Sequence, residues 1–312
     1  MTPLEVIGVG DADVDIFMDV DHIPGRDEKV LAKRVEYYAG GMVANFICAL
    51  SRLGTRCGFH GPVGDDEFGR VALENFRANG VDTAGTFVKK GGRTYYCVVM
   101  LDESGEKALI IVPTDCNHPT ADELDEEQIA RARHMHMTGS VSTMMHAVEL
   151  AKKHDLSVSL DLESLTGLTE ADLRELLAKV DIAFINQRGA AALVGEGQPE
   201  DAARRLVQYG ARIGCVTLGE AGSVAASNEE LVRAAAFKVE VADSTGAGDC
   251  YAAGFVHGFV KGWPLEAMTM LGSAVGALAV TKWGGHSGAP TFAQAVAFLA
   301  SRGVDIDRLR GQ

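Results

Sequence analysis

Phe237-Lys238-Val239-Glu240-Val241-Ala242, then Asp243-Ser244-Thr245-Gly246-Ala247-Gly248-Asp249, then an apolar run over 250–260, read as strand, glycine turn and helix. That is the repeating unit of an α/β sheet. Small residues at Gly246, Ala247 and Gly248 let backbone amides approach a ligand. The free N–H groups at a helix start, aided by the helix dipole, stabilise an anion there. Asp249 stands beside this anion hole, where a carboxylate can take a proton from a hydroxyl while the amides hold charge on a transferring phosphoryl group. The competing reading is a glycine turn capped by an aspartate. Seven specified residues between a strand and a helix weigh against it.

Working outward, Val6-Ile7-Gly8-Val9-Gly10 reads as a buried first strand, 44–53 as a helix ending at Gly54, 57–60 as a strand, and 67–79 as a helix closed by Gly80. Residues 98–101 and 108–112 flank the Asp102-Glu103-Ser104-Gly105 turn as a hairpin, which interrupts the strand–helix rhythm. The rhythm resumes with strands at 134–137, 157–160, 182–185 and 215–218, and helices at 144–154, 171–179 and 199–209. This order predicts an α/β fold with a mainly parallel sheet covered on both faces. Extended stretches at 15–20 and 30–38 join the hairpin as a small β-sheet, a lid inserted near 15–38 and 91–113. No repeat or linker divides the chain, so residues 1–312 are expected to form one domain.

Composition excludes several classes. Twenty-nine Lys and Arg against 43 Asp and Glu give a net charge of −14, so neither nucleic acid nor an anionic membrane is an expected partner. No apolar stretch reaches the roughly 18 residues of a membrane span, and residues 1–10 lack the basic start of a signal peptide; a cytoplasmic protein is expected. Six scattered cysteines without a Cys-x-x-Cys pair predict buried thiols. No Gly-x-x-x-x-Gly-Lys-Ser/Thr loop or His-Glu-x-x-His occurs, Gly8 to Asp13 lacks the third glycine of a dinucleotide fingerprint, and Gly285-His286-Ser287-Gly288-Ala289 misses the nucleophile elbow. His134 and His136 alternate on a strand without ligand-like companions and read as structural or surface residues; Trp283 and Met144-Met145 read as packing.

Two further stretches complete a pattern: Gly40-Gly41-Met42-Val43-Ala44-Asn45, continuing to Leu53-Gly54, and Val63-Gly64-Asp65-Asp66-Glu67-Phe68-Gly69. With Asp243 to Asp249, they make the chain resemble the ribokinase-like sugar kinases, the phosphofructokinase B type, from Leu4 to about Leu299. The resemblance implies a ribokinase-like three-layer α/β/α fold with a β-sheet lid. It implies Asp249 as catalytic base and Gly246, Ala247 and Gly248 as the anion hole. Asp13, Asp15, Gly40, Gly41 and Asn45 match positions that hold sugar hydroxyls, chemistry that suits carboxylate and amide acceptors beside a glycine turn. On local sequence alone, Asp11, Asp13 and Asp15 read equally as solvated turn carboxylates and Asn45 as a helix cap.

By the same resemblance Thr217, Gly219 and Gly222 contact ATP, and Asn186 opens an Asn-x-x-Glu motif that organises phosphate-bound Mg2+ through water. Here the fourth residue is Gly189, which leaves Asp161 or Glu163 to supply a carboxylate. Asp243 and Thr245, with the Gly284 to Gly288 loop, resemble a K+ site. The expected activity is ATP- and Mg2+-dependent phosphorylation of a hydroxyl, a primary one, on a small sugar or sugar derivative, by a homodimer joined through its lid. Two alternatives stand beside it. One is a nucleoside kinase of the same fold, with Tyr95 and Tyr96 stacking on a base; the other, suggested by Gly189, is a catalytically weak sugar-binding regulator. Met42 stands where ribokinases often carry lysine, and the acceptor sugar is not identified by the sequence.

Overall fold

The structure, a computed structural model, describes residues 3–103 and 107–311. Along the chain, β1 (Val6–Val9), β2 (Asp13–Val20) and β3 (Arg34–Gly40) lead into α1 (Met42–Arg52). Then come β4 (Cys57–Gly64), α2 (Glu67–Ala78), β5 (Asp82–Lys89), β6 (Tyr96–Asp102) and β7 (Lys107–Val112). After α3 (Glu126–Ile129) follow β8 (His134–Met137), α4 (Val141–Lys153), β9 (Ser157–Asp161), α5 (Glu170–Leu177), β10 (Ile182–Asn186), α6 (Gln187–Val194), α7 (Pro199–Gln208) and β11 (Ile213–Thr217). The chain closes with β12 (Ser223–Ala226), β13 (Leu231–Ala234), α8 (Ala247–Val260), α9 (Leu265–Ala279), α10 (Phe292–Ser301) and α11 (Ile306–Leu309).

The large sheet has the order β13-β12-β11-β10-β9-β8-β1-β4-β5. Neighbours from β11 to β5 are parallel, while β12 and β13 add an antiparallel end. Alternation of side chains along each strand splits the core into two layers. Ile182 and Phe184 of β10 pack with Phe46, Phe255 and Leu271 on one face; Ala183 and Ile185 pack with Val148, Leu176 and Leu206 on the other. The three-layer α/β/α arrangement follows directly. All six cysteines are buried and free. His134 bonds Ser157 and Ser159, and His136 bonds Ser159 and stacks on Phe46, so both histidines are structural.

The lid is a four-stranded sheet of order β3-β2-β6-β7. Only β3 starts later than the sequence suggests, since 30–33 are not in a strand; β2 starts earlier, at Asp13, and β3 runs on to Gly40, which pairs with Asp13. Ser104 and Gly105 of the expected hairpin turn lie outside the described residues. One expectation fails. Residues 237–242 form no strand; the last strand before α8 is β13. Apolar alternation there has no sheet edge to serve, since Val241 is exposed and the N–H groups of Ala242 and Asp243 donate to the Val280 carbonyl.

Candidate active site

Residues from the lid, α1 and α8 converge where the two sheets meet. Asp13 and Asp15, two apart on β2, share one face and are each 4% exposed. Opposite them lies Gly40, where a Cβ would overlap both carboxylates. Gly41, at φ 99°, opens α1, and a Cβ there would meet Ala12 Cα at 2.9 Å. The glycine pair is therefore a requirement of close approach. Asp11 does not join the pair: its oxygens accept from Met42 N at 2.9 Å and Val43 N at 3.0 Å, capping the start of α1.

Asp13 Oδ1 is buried and has no hydrogen-bond partner among the described residues, while Oδ2 lies 3.8 Å from Cys97 Sγ. Burial, then the neighbouring Asp15, push the Asp13 carboxyl well above the usual range. Burial, then Asp243, push Asp15 up to about 7. A buried acceptor without a donor is costly unless a ligand hydroxyl completes it.

Asn45 sits inside α1 rather than at its cap. Its Nδ2 donates to Asp249 Oδ2 at 2.9 Å, and its Oδ1 faces His286 Nδ1 at 2.8 Å. Burial pulls His286 down to about 4, so the ring is neutral and carries a single N–H to share between its two amide neighbours. His286 Nε2 lies 3.2 Å from Asn75 Oδ1. Sequence reasoning missed His286 and Asn75; the only signal was that His286 belongs to the glycine loop already singled out.

Gly246 is left-handed at φ 70°, and a Cβ there would overlap the Gly285 carbonyl. It caps α8, which starts at Ala247; Gly248 has nothing within 4 Å of its Cβ direction among the described residues, so the helix start faces open space. Asp249 lies in this first turn. Enclosure by protein, then Asp161, push its carboxyl well above the ordinary range, and the Asn45 hydrogen bond pulls it back. This is a carboxylate held next to a set of helix-start amides.

Asn186 and Thr217 end the adjacent parallel strands β10 and β11 and face each other in register. Gly219 at φ 58° and Gly222 at φ 93° bound the tight turn that follows. Asn186 Oδ1 caps α6 by accepting from Gly189 N at 3.0 Å. The departure at Gly189 has a steric cause: a Cβ there would overlap the Glu163 carbonyl, which also accepts from Asn186 N at 2.9 Å. Asp161 and Glu163 line a cavity of about 360 Å³ together with Thr138 and Ser140. Desolvation by the surrounding protein raises Asp161 to about 7 and also raises Glu163, although the Glu163 residue is exposed. Of the two tyrosines expected to stack on a base, Tyr96 packs edge-on against Phe68, whereas the Tyr95 hydroxyl lies 3.8 Å from Cys97 Sγ, beside Asp13.

Residues 4–291 match the model of the pfkB family carbohydrate kinases. The chain is 30% identical to the ATP-dependent ribose-1-phosphate kinase of Halopiger xanaduensis, covering 96% of this chain and 99% of the relative. Its fold superposes with a TM-score of 0.83 on a putative ribokinase II from E. coli in complex with ATP and Mg2+, at 25% identity over 96% and 99% of the two chains. Ribokinase from Arabidopsis thaliana, complexed with ribose and ATP, gives a TM-score of 0.82 at 25% identity, over 96% of this chain and 99% of that one. The match spans both sheets and every motif quoted from the sequence, and the chain belongs to the pfkB family of carbohydrate kinases.

Proposed function

We propose that this carbohydrate kinase transfers the γ-phosphoryl group of ATP to a hydroxyl, a primary one, of a small sugar or sugar derivative, with Asp249 as the general base. The observation that carries the reading is Asp249 in the first turn of α8, bonded to Asn45 and adjacent to Gly246, Ala247 and Gly248. Asp13 and Asp15 accept hydrogen bonds from the acceptor's hydroxyls, Asn45 and the Gly40-Gly41 turn line the same pocket, and together they orient one hydroxyl toward Asp249. Asp249 takes that proton as the oxygen attacks in line, and the amides of 246–248 hold charge on the transferring group. The Asn45 hydrogen bond favours the ionised form that this step needs.

Thr217, Gly219 and Gly222 are the proposed nucleotide contacts, placed at strand ends where α/β sheets take ligands. The donor set suits Mg2+, since the Asp161 and Glu163 carboxylates line one cavity and the Glu163 backbone bonds Asn186, and carboxylate oxygens are ligands Mg2+ takes. When bound, the ion neutralises phosphate charge. For K+ the fit is poor: Asp243 already accepts from Thr245 N, Thr245 Oγ1 and Gly284 N, and Lys107 lies 3.6 Å from it.

A homodimer through the lid is supported by Val35 and Tyr37 on β3 and Leu109, Ile110 and Ile111 on β7, all large, apolar and exposed on the two edge strands. Light scattering that finds only monomer refutes it. A cytoplasmic enzyme without nucleic-acid or membrane partners accords with the net charge of −14; no helix among the described residues is long and apolar enough to cross a membrane. The test of the activity is a phosphorylation screen over sugars and nucleosides. Sugars should give the highest kcat/KM; adenosine or inosine exceeding every sugar by more than about tenfold, ~1.4 kcal/mol, establishes the nucleoside kinase instead. Absence of turnover with every compound favours the regulator.

A further inference from the structure

Lys107 opens β7 at the end of the lid hairpin, paired with Leu101. Its side chain leaves the lid sheet and reaches the turn ahead of α8, where Nζ donates to Thr245 Oγ1 at 3.1 Å and lies 3.6 Å from Asp243 Oδ1. The Asp243 side chain is 1% exposed. Its carboxylate ties two loops together, accepting from Thr245 N at 2.9 Å and Thr245 Oγ1 at 2.8 Å on one oxygen, and from Gly284 N at 3.1 Å on the other. Thr245 immediately precedes the left-handed Gly246. Gly284 immediately precedes Gly285, whose carbonyl walls Gly246 in. One buried carboxylate therefore sets the shape of the turn that builds the anion hole.

A buried carboxylate is costly unless a positive charge or several donors compensate it. Lys107 is a compensating cation, and it comes from the other sheet. The lid touches the same loops at a second place: Phe17 of β2 stacks on Trp283 with ring centroids 5.9 Å apart, and the Arg34 guanidinium lies 4.8 Å over the Trp283 ring. The Tyr38 ring of β3 lies against Gly284, where a Cβ would meet it at 2.7 Å. Lid and anion-hole turn thus share a polar latch and an aromatic seat.

We propose that Lys107 is a lid-borne positioning residue: by fastening Thr245 and Asp243 it completes the anion-hole turn only when the lid is down, and its ammonium takes the place of an added monovalent cation. The proposal rests on the anion-hole reading of 246–248. It couples two events that would otherwise be separate, closure over the acceptor and assembly of the site that holds the transferring group. A lid that is open leaves Thr245 and Asp243 without their cation, which disfavours futile transfer to water.

Two variants test it, Lys107→Met and Lys107→Arg, compared with the wild-type chain. Hydrogen exchange is measured first, on the ligand-free protein, over amides 243–250; this readout needs no turnover, so it separates failure of the latch from failure of the kinase reading. Exchange there should accelerate at least about threefold in Lys107→Met, with the core strands unchanged, and return to wild type in Lys107→Arg. Kinetics follow, with MgATP and the best acceptor of the sugar panel. Lys107→Met should lose at least about tenfold in kcat while both KM values stay within about threefold, and Lys107→Arg should recover most of the loss. Wild-type kcat should be the same in potassium chloride and choline chloride. Unchanged exchange in Lys107→Met overturns the latch. Faster exchange with unchanged kcat overturns the coupling, and a potassium stimulation of the wild type above about threefold overturns the cation substitution.

Discussion

Asn45→Ala should move the acidic limb of the pH–rate profile upward. In the structure Asn45 Nδ2 donates to Asp249 Oδ2 at 2.9 Å, a bond that favours the ionised base. A hydrogen bond to a charged group contributes about 1.5–3 kcal/mol. Its loss raises the pKa of Asp249, and each ~1.4 kcal/mol is a factor of ten in the ionisation equilibrium. The sign is set by the direction of the bond: without Asn45 the base keeps its proton to higher pH. The deficit in kcat/KM should therefore reach about tenfold to a hundredfold on the acidic side and shrink toward alkaline pH. His286, pulled down to about 4 by burial, stays neutral over this range and adds no limb of its own. Coupled ADP release from pH 5 to 9, with thermal melts to confirm folding, provides the measurement. A deficit equal at every pH, with the limb unmoved, would refute the argument and leave Asn45 as a sugar contact alone.

Asp249→Asn should lower kcat by about 10²–10⁴ while calorimetric sugar binding is kept, because asparagine cannot take the proton; near wild-type kcat would falsify the assignment. Asp15→Asn should raise the acceptor KM and also raise Tm. Asp15, held up at about 7 in the fold from 3.8, weakens stability progressively as pH rises from about 4 to 7, so the Tm gain should grow over that window and level off above it. A pH-independent Tm difference contradicts this. Gly189→Glu should destabilise by about 1–3 kcal/mol rather than restore a metal ligand, since its Cβ overlaps the Glu163 carbonyl; denaturant melts decide, and an unchanged midpoint refutes the steric account.

Much of this protein is legible in one dimension because the determining physics is local. A left-handed Gly246 followed by a helix start is written in adjacent residues, and the strand–helix rhythm is written in apolar periodicity. The carboxylates at 13 and 15 sit two apart, so a strand must put them on one face. The same periodicity misleads at 237–242, where it cannot know that no neighbouring strand is there to pair with. Hydrogen bonds across the fold have no such local signature. His286 reaches Asn45 across 241 residues, Lys107 reaches Thr245 across 138, and Gly189 is glycine because the backbone of Glu163 from another loop fills the space of its side chain. Sequence determined which chemistries this chain carries and the elements that bear them. Tertiary structure alone decided which of those groups touch, because that depends on where long loops close and how two sheets seat against each other.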